Sequence, residues 1–235
     1  KRNKQDVVVG IDFRSATVTD AELIHLNKLT KLQTLKLDFT EITDTGLAHL
    51  KGLTNLRELT LDRTQVTDVG LVHLKELTKL IDLSLPEQIT DAGLVHLAGM
   101  KLKSLTLPKE AMTDLGLKHY LAAVERPSTL SLGKWKITDK GLAHVAGMNL
   151  KKLTLPKEAM TDIGLKHYLA AVEPPSALNL RLFNVTDAGL VHLKGLTSLQ
   201  SLNLENTQIT DAGLVHLKGL TNLQRLGLGN TKVTD

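Results

Sequence analysis

The chain has 235 residues, no cysteine, 3% aromatic residues and a formal net charge of +4. Without cysteine, disulfide-stapled caps are impossible, and so few aromatics argue against the base-stacking platforms of single-strand nucleic-acid binders. No apolar run approaches the ~20 residues that a membrane-spanning helix needs, and Lys1-Arg2-Asn3-Lys4 leads only into Val7-Val8-Val9, too short for a signal-peptide core; the composition expects a cytoplasmic setting.

Along the chain one sentence recurs. A Thr-Asp pair places aspartates at 20, 44, 68, 91, 114, 139, 162, 187, 211 and 235, at steps of 23 to 25 residues. A leucine ladder precedes each pair, as in Leu32, Leu35 and Leu37 or Leu56, Leu59 and Leu61. Leu35-Lys36-Leu37 alternates with period two, which predicts a half-buried strand. Asp44 then precedes Thr45-Gly46-Leu47 and is expected to cap a short helix, its carboxylate accepting from free backbone N–H groups. Leu47, Leu50 and Leu53 give that helix its apolar stripe. Each strand–turn–helix repeat is too small to bury its own leucines, so neighbours must stack.

The unit L-x-x-L-x-L-x-x-T-x-I/V-T-D-x-G-L-x-H-L-x-x-L resembles the leucine-rich repeat family, whose repeat runs about 20–29 residues. More narrowly it is similar to the subfamily with a Thr-Asp-x-Gly-Leu helix start, shared by F-box-associated and many bacterial repeat proteins. Thr40, Thr64, Thr207 and Thr231 stand where that family often has Asn or Cys. The fold expected is an α/β solenoid: a curved parallel sheet on the concave face, short α-helices on the convex face, and about ten repeats in a single domain spanning 1–235.

In chain order, residues 1–28 form a degenerate first repeat: Val8, Ile11 and Phe13 replace leucines, and with the polar residues 1–6 it should cap that edge. Repeats over residues 32–89 are regular. Residues 89–136 and 137–184 then match at 35 of 48 positions, a long duplication laid over the short one. Each half pairs a 23-residue step with a 25-residue step, and the longer step predicts a longer helix over 117–125 and 165–173, stopped ahead of Pro127 and Pro174-Pro175. The last repeats are regular again and close at Thr234-Asp235, where the next helix should begin. The end reads as uncapped, and a fragment of a longer protein is expected.

Nine histidines each fall five residues after a repeat aspartate. A metal row is rejected: neighbouring helices pack about 8–10 Å apart, zinc–nitrogen bonds span ~2.0–2.1 Å, and no helix offers a second histidine one turn on. Ten equivalent aspartates are a structural device, whereas a catalytic pair needs unequal environments. No nucleophile elbow, P-loop or dinucleotide fingerprint occurs. Neither a reaction nor a cofactor is expected.

What remains is a binding surface. Residues between the ladder leucines look outward, and those that break the consensus there are Phe39, Asp62, Arg63, Lys109, Lys134, Lys157, Arg181 and Leu182, the candidate partner contacts. Trp135 and Phe183 share an inward slot and read as core filling. Residues 97–184 hold 13 Lys and Arg against 7 Asp and Glu, a net of +6, which leaves −2 for the rest of a +4 chain. The reading is a non-catalytic scaffold whose concave face takes a protein partner. The alternatives are a substrate-recognition segment of a larger enzyme, as the F-box resemblance implies, or polyanion or nucleic-acid binding by the basic centre.

Overall fold

The computed structural model describes residues 7–234, which divide into two compact units, Lys1–Arg126 and Pro127–Asp235. The expected edge cap at residues 1–6 and the last aspartate, Asp235, lie outside the described residues.

In the first unit, β1 (Gly10–Asp12), β2 (Thr34–Lys36), β3 (Glu58–Thr60), β4 (Asp82–Ser84) and β5 (Ser104–Thr106) form one parallel sheet in sequence order. Leu35 pairs with Ile11 and with Leu59, so the ladder leucines stack in register. Leu35, Leu37, Leu59 and Leu61 are fully buried while Lys36 and Thr60 are half-exposed, as the period-two alternation requires. Burying each such leucine contributes about 1.5–3 kcal/mol, and that burial exists only because the next repeat covers it.

The second unit is built likewise but its strands split. β6 (Thr129–Ser131) pairs with β7 (Lys152–Thr154), and β8 (Ala177–Asn179), β9 (Ser201–Asn203) and β10 (Arg225–Gly227) form a separate sheet. A core of Leu165, Leu178, Leu190, Leu193, Leu202 and neighbouring apolar residues lies beneath.

The helical side is tighter than expected. The α-helices α1 (Asp20–Leu23), α2 (Asp44–Ala48), α4 (Asp139–Leu142), α6 (Asp187–Leu190) and α7 (Asp211–Leu214) have four or five residues. Stretches such as Ile24–Lys28, Gly70–Glu76 and Gly93–Leu97 are 3₁₀. Leucines spaced by three suit that geometry, which has about three residues per turn. The longer helices appear in the longer steps with shifted bounds: α3 (Asp114–Ala123) and α5 (Asp162–Ala171) have ten residues each. They start at the aspartate and stop short of Glu125 and Glu173 because Val124 and Val172 are extended and bridge to Leu102 and Leu150.

The expectation that aspartate caps the helices is corrected. The cap is the preceding threonine: Thr43, Thr138, Thr186 and Thr210 are extended, and each accepts at its side chain from the backbone N–H two residues on. The aspartate is the first helical residue, and its carboxylate reaches across to the next repeat. Asp44 takes the Thr67 N–H and hydroxyl, both at 2.7 Å, and Asp162 takes those of Thr186 at 2.8 and 2.6 Å. Asp20 with Thr43, Asp68 with Thr90, Asp187 with Thr210 and Asp211 with Thr234 repeat the arrangement. The glycine of Thr-Asp-x-Gly makes room for it, since a Cβ on Gly46, Gly70, Gly93, Gly189 or Gly213 would fall on the carboxylate oxygen of the repeat before.

The threonines that depart from the family pattern are accounted for within their own repeats. Thr40, Thr64 and Thr207 are buried, and their hydroxyls donate to the carbonyls of Leu37, Leu61 and Leu204 at 2.6–2.8 Å, closing the turn after each strand.

Candidate functional site

Each unit presents outward residues on and after its strands. On the first, the turns after β1, β2 and β3 end in a left-handed residue, Ser15, Phe39 and Arg63, as the turns after β9 and β10 do at Asn206 and Asn230 in the second unit, all with φ of 54–59°. Asn tolerates that conformation best, whereas a bulky side chain there is an outlier. Phe39 nevertheless occupies it, 53% exposed, and the Arg63 guanidinium carbon lies 5.2 Å from its ring centroid in a cation–π contact. Asp62 stands between them in sequence, its N–H donating to the carboxylate of the buried Asp38 at 3.0 Å. Asp38 also accepts from the Thr60 hydroxyl at 2.5 Å, so it braces the turn that presents Arg63. Phe39, Asp62 and Arg63 are thus brought together.

Two ion pairs also lie among the outward residues on and after the strands of this unit. Lys36 meets Glu58 at 2.9 Å, and Arg14 meets Asp12 at 2.7 Å. The Arg14 hydrogen bonds hold the Asp12 carboxyl well below its usual range, at about 2. Lys109 opens a 3₁₀ turn, Lys109–Ala111, and is exposed.

On the second unit, Lys134 and Lys157 are exposed, Lys157 opening the matching turn Lys157–Ala159. Lys109 belongs to the first unit and Lys134 and Lys157 to the second. Arg181 and Leu182 follow β8, and Leu182 is 77% exposed. Both stand at the mouth of a cleft of about 630 Å³ lying where the sheets part, lined from one side by β7 and from the other by β8.

Met160, Tyr168 and Phe183 supply the cleft's apolar wall, the last two ring to ring at 6.2 Å and 72°. Burial pushes the Tyr168 phenol above its ordinary pKa. Phe183 is therefore half-buried rather than sealed in the core, unlike Trp135, which is buried. Met160 and Tyr168 were not among the candidates read from sequence. The only signal was indirect: the 25-residue step carrying the long helix that presents Tyr168.

The histidines ride the helical side, exposed or half-buried. His119 Nδ1 lies 2.9 Å from the Asp91 carbonyl of the preceding repeat, and burial, with Lys166 nearby, pushes the His192 imidazole pKa down. Among the described residues no three His, Asp or Glu side chains converge as a metal-holding group, and no helix is long and apolar enough to cross a membrane.

Residues 28–50 match the family model for a leucine rich repeat, and residues 197–235 match the model for leucine rich repeats in two copies. No curated protein matches the chain. Among solved structures it is similar to an internalin (InlF) from Listeria monocytogenes, at 23% identity and TM-score 0.41 over 94% of this chain and 68% of that one. It is also similar to an internalin C2 from the same organism, at 23% identity and TM-score 0.37 over 97% and 74%. With the leucine ladder seated in register on parallel strands, and both matched stretches falling on its repeats, the chain is a leucine-rich repeat protein.

Proposed function

We propose that the chain is a non-catalytic scaffold that holds a protein partner against the outward side of its strands, the concave face of the repeat array. Phe39, Asp62, Arg63 and Lys109 serve on the first unit, and Lys134, Lys157, Arg181 and Leu182 on the second. The observation that carries this reading is the Phe39–Arg63 pair. Folding alone favours Asn at these left-handed positions, as at Asn206 and Asn230, and holding other residues there costs on the order of 1–3 kcal/mol. An exposed aromatic and arginine kept at that cost are the residue types that dominate binding hot spots. A sheet already ordered before docking loses little conformational entropy on binding. The repeat aspartates are engaged in joining repeats, which suits a structural duty rather than acid–base work.

The test is partner retention by the immobilised full chain, compared across variants. Phe39→Asn, Arg63→Asn and the triple change of Lys109, Lys134 and Lys157 to Glu should each cut retention about tenfold or more. His49→Ala and His96→Ala should not. Equal loss from both sets counts against strand-face recognition. Binding to a nonspecific DNA duplex that weakens steeply with salt would instead support the polyanion reading.

A further inference from the structure

We propose that the cleft between β7 and β8 receives an extended acidic peptide segment bearing one bulky apolar side chain. This rests on the scaffold reading above and adds where a partner is gripped and by what chemistry.

The backbone supplies the first argument. Within each sheet a ladder residue's N–H donates to the next strand: Leu61 to the Ser84 carbonyl at 3.0 Å, Leu132 to Thr154 at 2.8 Å and Leu180 to Asn203 at 2.8 Å. Leu155 and Asn179 are the equivalent pair across the cleft, and among the described residues that bond is not made. An open strand edge with a donor on one side and an acceptor on the other is a template for an added extended chain.

Shape and charge narrow the occupant. About 630 Å³ is a volume typical of ligand pockets (~300–1,000 Å³) and can admit a large side chain with its neighbours. Met160, Tyr168 and Phe183 form an apolar wall suited to an aromatic or leucine side chain. Arg181 at the mouth can take a carboxylate through two parallel hydrogen bonds, and Lys152 on β7 and Lys157 just beyond it are exposed. Glu158 and Glu173 are the exposed acids nearby in sequence, fewer than the cations, while the Asp162 carboxylate is occupied by Thr186. All of the chain's +4 excess lies in this unit, with 12 Lys and Arg against 8 Asp and Glu over 127–235.

The experiment uses the full chain and labelled short peptides read by fluorescence polarisation: an Asp/Glu-rich peptide with a central Phe, the same with Ala for Phe, and one with Lys for its acids. The Phe peptide should bind, and each replacement should weaken binding about tenfold or more. Arg181→Glu and Leu182→Asp, both changes at exposed positions, should weaken it similarly, while Phe39→Asn on the other unit leaves it unchanged. In the free chain the Leu155 amide should exchange with solvent faster than those of Leu132 and Leu180, and slow when the Phe peptide is added. Absent peptide binding, equal binding of the Phe and Ala peptides, or a Leu155 amide as protected as Leu132 in the free chain would overturn the proposal. If the peptides fail while Phe39→Asn still releases the partner, the cleft falls and the scaffold stands. Should peptides bind while partner retention ignores every strand-face change, the scaffold reading falls instead.

Discussion

Asp44 holds two repeats together. Its carboxylate satisfies the Thr67 N–H and hydroxyl, and Gly70 stays bare so that the carboxylate can approach. Removing it in Asp44→Ala should cost about 1–3 kcal/mol in urea unfolding, because two donors lose their acceptor. Gly70→Ala should cost a similar ~1–3 kcal/mol through the clash. The double variant should cost less than the sum by roughly 0.5 kcal/mol or more, since the clash leaves with the carboxylate. Strict additivity would mean that the glycine is kept for another reason. The same bonds set a pH dependence. Thr210 and Thr234, donating from hydroxyl and backbone, hold the carboxyls of Asp187 and Asp211 below their ordinary value. A carboxyl whose pKa is lower folded than unfolded adds stability that is fully present above the ordinary value of 3.8 and is lost as pH falls through the folded one. Denaturation midpoints measured from pH 6 down to pH 2 should therefore fall less steeply in the Asp187→Asn, Asp211→Asn variant than in the parent chain. In sequence Thr and Asp are adjacent and both are good caps, so nothing local assigned their duties. The deciding partner lies 23 residues on, at Thr67 for Asp44.

Strands were legible because a ladder such as Leu35 and Leu37 states its own period, and the long helices because residues 117–125 and 165–173 add length ahead of proline. The 3₁₀ segments were half-legible: leucines spaced by three were on the page, but the same spacing also suits an α-helical stripe. The parting of β7 from β8 was not legible, since hydrogen bonding between strands depends on how far one repeat sits from the next. It coincides with α5, the ten-residue helix bridging Asp162 to the following strand. The cleft wall at Tyr168 and Met160 stayed hidden for the same reason. In a repeat array stability is close to a sum of repeat and neighbour terms, and a missing ladder bond thins one of those terms. Native-state hydrogen exchange in rising denaturant should accordingly show the amides of β8–β10 opening as a block apart from those of β6–β7. One shared opening curve for all five strands would show that the parting carries no energetic weight.

Taken over the whole chain, charge and strain are divided between the units. Over residues 1–126, 17 Lys and Arg balance 17 Asp and Glu, whereas residues 127–235 carry the entire +4. The exposed aromatic held in a left-handed turn, Phe39, sits on the neutral unit. These features should act at different stages of association. Net charge steers the approach of an oppositely charged partner, an effect on the on-rate that salt screens over a Debye length of about 8–10 Å. A packed aromatic acts after contact, on the off-rate. Lys134→Glu with Lys157→Glu should therefore slow association several-fold at low salt and flatten its salt dependence, leaving dissociation nearly unchanged. Phe39→Asn should speed dissociation about tenfold with the salt slope intact, while raising the chain's own stability by about 1 kcal/mol as the turn is relieved. Stopped-flow kinetics with the captured partner at low and high salt, beside urea unfolding of the free variants, separates these effects. If the lysine changes act on dissociation, or Phe39→Asn destabilises the fold, the division of labour between a steering surface and an anchoring one is wrong.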